Sequence, residues 1–306
     1  MCFLMYICLS LSQGALDLHC FIASLLATSL PRCSVPFSKS FHLEVAGKMV
    51  SSSAQSLSLL ILSIVLTVGR GGDWNILHVN QKGVPHISIK NYCESWKINV
   101  ELHNIRKYGV VPQECVEYIG KYMTSTQYKT DVQRAAEQVV LYITENFVLD
   151  EDGKDAWIFD IDDTLLSTVP YYKNHQFGGE KLNITLLEKW MKSGKAPPLK
   201  PTLCLYNHIK RAGLKIFLVS GRNEHLRDAT VDNLLKVGYA GWTSLILRGD
   251  EDAGKTAESF KAEQRNKIVA EGYRIWGVVA DQWSSLLGYS TGLRTFKLPN
   301  PMYYAP

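Results

Sequence analysis

Between Trp157 and Leu298 the sequence alternates five short apolar runs with stretches of helical character. The runs are Trp157–Ile161, Lys215–Val219, Ser244–Leu247, Arg274–Ala280 and Arg294–Leu298. Strands separated by helices need crossover connections, and crossovers lay helices on both faces of a parallel sheet. This half of the chain is therefore limited to an α/β fold with a parallel five-stranded sheet; a β-sandwich or a helical bundle is excluded. In such sheets ligands bind beyond the carboxyl ends of the strands. The residues that follow each run are thus the ones that carry chemistry.

Ahead of the sheet, residues 73–150 read as an N-terminal helical segment. Residues 73–92 are irregular and include Pro85, and from Cys93 to Leu149 the pattern is helical. Tyr128–Phe147 carries Val132, Ala135, Val139, Val140 and Ile143 at helical spacing. Further upstream, Leu57–Val68 is a 12-residue run of Leu, Ile and Val with only Ser and Thr among them. It fits the apolar region of a secretory signal and falls short of the ~20 residues that span a bilayer. Gly69, Gly71 and Gly72 supply the small residues of a cleavage site. The expectation is a signal peptide over 49–72, initiation at Met49, a mature chain from near Gly71, and a spurious or leader extension over 1–48. The alternatives make Met1–Leu30 the targeting segment, or make Leu57–Val68 a buried core helix or a signal-anchor. A secreted or vacuolar location follows, with no stable membrane anchor once the signal is removed.

The formal charge of +4 is small and no basic stripe is interleaved with aromatics, so nucleic acid is not expected as a partner. In a secreted chain Cys93 and Cys115 can pair, leaving Cys204 free or buried. Asn183-Ile184-Thr185 is a glycosylation sequon at Asn183 that only a secreted chain uses.

Three of the strand ends are chemically distinctive. The first run leads into Asp160-Ile161-Asp162-Asp163-Thr164. Carboxylates this close repel one another and are tolerated where a cation sits between them. One acid can serve as nucleophile and another as proton shuttle. The second run leads into Ser220-Gly221-Arg222, expected to open a helix and so to form an anion cradle from a hydroxyl and free backbone N–H groups. The fourth leads into Asp281. Lys255, Lys261 and Lys267 lie between the third and fourth runs, and one of them can bring a cation to the same place. A metal, a nucleophile, an acid–base group, an anion cradle and a lysine together describe phosphoryl transfer through an aspartyl-phosphate.

The order of these parts resembles the haloacid dehalogenase superfamily. More closely, the chain from about Cys93 onward resembles the plant acid phosphatase and vegetative storage protein family, of the class B acid phosphatase type. The resemblance is carried by Cys93-Glu94-Ser95-Trp96, Trp157–Ser167, Pro170-Tyr171-Tyr172, Ser220-Gly221-Arg222 with Asn233-Leu234, Asp281-Gln282-Trp283-Ser284 and Phe296–Tyr304. It implies a Rossmann-like, haloacid dehalogenase-like domain over 151–306 with a small cap at about 167–201. It implies Asp160 as nucleophile and Asp162 as general acid/base with its backbone carbonyl on Mg²⁺. It further implies Ser220 and Gly221 at the phosphate and Asp281 as metal-binding acid, so that Asp160, Asp162 and Asp281 form the metal set. Spacing from Asp281 favours Lys261 as the substrate-binding lysine, with Lys267 next and Lys255 in a Gly-rich turn. The cap would include Tyr171, Tyr172, His175 and Trp190. Two positions depart from the superfamily pattern: Ser284 and Ser285 stand where a second acid is usual, and Ala280 replaces a glycine.

Two function classes follow. One is a secreted acid phosphatase that hydrolyses small phosphomonoesters with Mg²⁺, with a homodimer as the candidate assembly. The other is a storage protein that kept the fold without turnover. The resemblance implies that storage relatives can lack the nucleophile, and this chain keeps both Asp160 and Asp162. A phospho-receiver domain also clusters acids with Ser/Thr and Lys, but it is disfavoured by the expected signal and by the insertion after Thr164.

Overall fold

The computed structural model describes residues 78–79 and 85–306. The leader and signal segments over 1–72 lie outside the described residues.

Two short strands, β1 (His78–Val79) and β2 (Pro85–His86), pair antiparallel. A helical layer follows: α1 (Ile89–Glu101), α2 (Val116–Met123) and α3 (Thr126–Asn146). Ser88 and Ser125 cap α1 and α3, each side-chain oxygen accepting a backbone N–H of the first turn. Helix α1 starts at Ile89, slightly ahead of the expected Cys93, because Ser88 supplies the cap. Cys93 and Cys115 form a disulfide, with Cα atoms 5.2 Å apart, that ties α1 to the turn before α2. Cys204, expected to be free or buried, is instead half-buried and disulfide-bonded.

The sheet comprises β3 (Asp155–Phe159), β4 (Lys215–Asn223), β5 (Ser244–Arg248), β6 (Arg274–Ala280) and β7 (Arg294–Lys297). Its order is β5-β4-β3-β6-β7 with every pairing parallel. The connections hold α4 (Val169–Lys173), α5 (Ile184–Lys192), α6 (Lys200–Arg211), α7 (Arg227–Lys236) and α8 (Ala257–Ala270). β3 is central and buried along its whole length. Its side chains alternate between two cores, as the pleat requires. Trp157 and Phe159 face the layer that includes Tyr142 of α3 and Tyr206 of α6. Ala156 and Ile158 face Phe260 and Ile268 of α8. Across the sheet Gly277 lies beneath the Trp157 ring: a Cβ there would come within 2.3 Å of it. The glycine is what lets a tryptophan occupy the central strand.

One expected element is different. Ser220-Gly221-Arg222 does not open a helix. β4 continues to Asn223, re-pairing with β5 at Asn223↔Arg248 after an irregularity, and α7 begins only at Arg227. The extended backbone keeps the Arg222 side chain directed inward, where it meets Asp162 and Thr230.

Candidate active site

The carboxyl edge of the sheet gathers the reactive side chains. Asp160 leaves β3 with its N–H still bonded to Val279 O at 3.1 Å. The next residues form one tight turn: Leu165 and Leu166 donate to Ile161 O at 2.8 and 2.9 Å, and Asp163 sits at φ 46°. This turn fans Asp160, Asp162 and Asp163 in three directions, so that each meets different partners.

Asp160 is 6% exposed. Its Oδ1 accepts from Ile161 N at 2.7 Å. Its Oδ2 accepts from Lys261 Nζ and from Ser285 Oγ, the latter at 3.0 Å, and Lys261 also donates to Ser285 Oγ at 2.6 Å. Lys261 is thus the lysine at the site. Lys267 is on the exposed face of α8, and Lys255 pairs with Asp252 and Glu263. Thr256 caps α8, and Lys261, the fifth residue of the helix, is buried and directed at the sheet edge.

Asp162 is gripped by Arg222 in a bidentate pair, Nε to Oδ2 at 3.0 Å and Nη2 to Oδ1 at 2.7 Å, while Nη1 donates to Thr230 at 3.0 Å. The fork-to-fork geometry is the strong form of this pair. Ser220 lies beneath, 1% exposed, its Oγ accepting from Arg222 N at 3.2 Å. Gly221 and Arg222 line the cleft; Ser220 does not.

Asp281 follows β6 and is 1% exposed. Its Oδ2 accepts from Asn300 Nδ2 at 2.7 Å, Tyr303 OH at 3.1 Å and Gln282 Nε2 at 3.1 Å. Thr164 joins the two strand ends, its Oγ1 accepting from Asp281 N at 3.1 Å. Burial first, and then the Asp160 charge, push the Asp281 carboxyl up to about 6. Burial and the Asp281 charge push Asp163 up to about 7. Asp163 accepts from Thr168, lies 3.4 Å from Asn300 Nδ2, and shares the single Tyr303 hydroxyl proton with Asp281, its Oδ2 3.0 Å from Tyr303 OH. Burial and the same carboxylates hold the Tyr303 phenol well above its ordinary range, so it remains a donor.

The cleft above these groups measures about 310 Å³. Its floor is Asp160, Asp162, Arg222, Lys261 and Asp281. The segment between β3 and β4 forms an apolar wall with Tyr172, Leu182, Ile184, Leu187 and Met191, and Tyr303 and Tyr304 close another side. His175 does not line the cleft: it stacks on Tyr171 with ring centroids 4.0 Å apart. Asn183 is exposed at the start of α5, where its Oδ1 caps Leu186 N at 3.2 Å.

Among the described residues no three His, Cys, Asp or Glu side chains are grouped to hold a metal ion. Both carboxylate oxygens of Asp162 are committed to Arg222, so the expected contact of Asp162 with a metal is left to its backbone carbonyl. Asp160 and Asp281 nevertheless fit a cation. Lys261 and Arg222 pair with Asp160 and Asp162, and among the described residues no cation pairs with Asp163 or Asp281. Two buried oxygen ligands with excess negative charge suit a hard divalent ion. Ser285, which stands where a second acid is usual, is occupied with Lys261 and Asp160, while Ser284 Oγ is buried without a hydrogen-bond partner among the described residues.

Sequence reasoning missed four site residues: Arg222, Asp163, Asn300 and Tyr303. Arg222 and Asp163 stood inside quoted motifs. Asn300 and Tyr303 also stood inside one, Phe296–Tyr304, a Pro-flanked polar and aromatic segment after the last strand that was quoted without a role for either residue.

The family model of the HAD superfamily, subfamily IIIB (Acid phosphatase) matches residues 80–306. The chain is 40% identical over 258 residues to Acid phosphatase 1 of Solanum lycopersicum, covering 81% of this chain and 99% of that protein. It is 43% identical to the Stem 28 kDa glycoprotein of Glycine max, covering 69% and 83%, and 38% identical to Vegetative storage protein 1 of Arabidopsis thaliana, covering 70% and 79%. Among solved structures, the class C acid phosphatase from Bacillus anthracis shares the fold with a TM-score of 0.52 at 19% identity, over 62% of this chain and 85% of that one. The chain belongs to the HAD subfamily IIIB acid phosphatases.

Proposed function

From that membership, we propose that the chain hydrolyses small phosphomonoesters through a phosphoryl-Asp160 intermediate with Mg²⁺. The observation that carries this reading is Asp160 itself: a buried carboxylate at the floor of an accessible cleft, oriented by Lys261, Ser285 and the Ile161 N–H.

In the first step an Asp160 oxygen attacks phosphorus, the O–P bond forms, and the bond to the ester oxygen breaks. Lys261 and Arg222 flank the approach and offset the charge of the phosphoryl oxygens. The leaving oxygen takes a proton from Asp162. That proton must arrive while the Arg222 fork loosens, so an aryl leaving group, which needs little protonation, is the least demanding substrate. In the second step Asp162 accepts a proton from water, which attacks phosphorus and frees Asp160 and inorganic phosphate. The ionised, Arg222-bound form of Asp162 is already arranged for this step. Asp160, Asp281 and the Asp162 carbonyl would hold Mg²⁺, which supplies Lewis-acid neutralisation of the transferring group.

A storage role without turnover is the second reading, favoured by the vegetative storage protein among the relatives. The intact Asp160, Lys261 and Asp281 set favours the enzyme. A secretory location, vacuolar or extracellular, is supported by the Cys93–Cys115 disulfide and the exposed Asn183 sequon. Phosphate release from an aryl phosphate, with and without a chelator, tests the proposal. Chelator-sensitive release is expected; no release with Mg²⁺ present leaves the storage role.

A further inference from the structure

The segment after β7 returns to the site and places two donors between two buried acids. Tyr303 OH lies 3.0 Å from Asp163 Oδ2 and 3.1 Å from Asp281 Oδ2. Asn300 Nδ2 lies 2.7 Å from Asp281 Oδ2 and 3.4 Å from Asp163 Oδ2. Buried carboxylates repel one another and need donors; here both donors come from one stretch of chain.

That stretch is itself fixed from the N-terminal helical layer. Glu101 Oε1 accepts from Asn300 N at 2.8 Å, and Glu101 Oε2 pairs with Lys297 at 2.7 Å. Tyr108 OH donates to Tyr303 O at 2.8 Å. The Tyr303 ring stacks on Tyr172, with centroids 5.2 Å apart and planes at 19°. Ring and hydroxyl therefore have separable tasks: the ring packs and the hydroxyl donates.

Three donors converge on Asp281 Oδ2. Oδ1 has one hydrogen-bonded neighbour among the described residues, Thr164 Oγ1 at 3.5 Å, so it is the oxygen with room for a further partner. We propose that the Tyr303 hydroxyl, assisted by Asn300, is a positioning group that fixes Asp281 with Oδ1 presented to the cation and holds it against the repulsion of Asp163. This rests on the reading of Asp281 as a metal-holding acid. Outer partners of metal-ligating groups typically change affinity or activity by about 10–100-fold when removed.

The test uses the full chain as wild type, Tyr303→Phe and Asp281→Asn. Mg²⁺ binding is measured by calorimetry without substrate, kcat and KM with an aryl phosphate, and folding by thermal melting. Phenylalanine keeps the stacked ring and removes only the hydroxyl, so a packing role would be fully rescued by it. For Tyr303→Phe the expected result is about 10–100-fold weaker Mg²⁺ binding and a similar fall in kcat, with KM for the aryl ester unchanged. If its melting point falls, binding measured on the folded protein below that temperature still decides. Wild-type Mg²⁺ affinity and kcat in Tyr303→Phe would overturn the proposal. So would undiminished Mg²⁺ binding by Asp281→Asn, because an effect of Tyr303 could not then run through Asp281. A wild type that binds Mg²⁺ without turnover would end the phosphatase reading, yet weaker binding by Tyr303→Phe would still uphold the positioning role.

Discussion

Lys261 and Asp160, 101 residues apart in the chain, form an ion pair in which each side chain is only 7% exposed. The pair joins the central strand to α8 and holds the nucleophilic carboxylate at the cleft floor. Removing one member of a buried pair leaves an uncompensated charge and costs roughly 3–5 kcal/mol. Lys261→Met is therefore expected to lower stability by about that amount and to abolish turnover, whereas Lys267→Ala on the exposed face should stay within about 0.5 kcal/mol of wild type. Urea unfolding and initial rates on both variants check this. Equal effects at the two positions would refute the placement.

The sheet could be read from the sequence because its signal is local: each strand is a short apolar run, and parallel strands must alternate with crossovers. Asp160, Asp162 and Asp281 could be read because strand ends are where such a sheet works. What escaped was set by long-range pairing. Ser220–Arg222 looked like a helix start, but Asp162, 60 residues away from Arg222, draws its guanidinium inward along an extended backbone. Ser285 departs from the superfamily pattern at the place of a second acid, and α8 brings Lys261 onto it. Asn300 and Tyr303 lie on a stretch whose backbone is bonded by Glu101 and Tyr108, some 200 residues earlier. No spacing rule within one segment contains that contact.

The buried acids predict an unusual pH dependence. Burial, with repulsion from the neighbouring carboxylates, pushes the Asp163 and Asp281 carboxyls well above the ordinary carboxyl range, toward neutral pH. Between that range and pH ~7 the folded state holds more protons than the unfolded state, so their contribution to stability is complete at low pH and is lost as pH rises. Melting temperatures of metal-free protein from pH ~4 to ~7 should show a decline that is shallower in Asp163→Asn. Identical slopes for the two proteins would contradict the shift.

The Cys93–Cys115 bridge closes a loop with a separation of 22 residues, and both sulfurs are buried. Chain-entropy reasoning gives about 3 kcal/mol for a loop of this size. The double variant Cys93→Ala, Cys115→Ala should lose about that much in denaturant unfolding. Unchanged stability would show that the helical layer does not depend on the bridge.

The most direct test of the account follows the phosphoryl group itself. Asp162→Asn should accept a phosphoryl group from an aryl phosphate with Mg²⁺ and then stall, since the water that resolves the intermediate lacks its base. Acid quenching during turnover, followed by peptide mass spectrometry, locates the group. The account predicts one phosphoryl group on Asp160 in Asp162→Asn and none in Asp160→Asn, whose fold is checked by circular dichroism because its Lys261 loses a charged partner. A phosphoryl group on any other side chain, or wild-type phosphate release by Asp160→Asn, would contradict it.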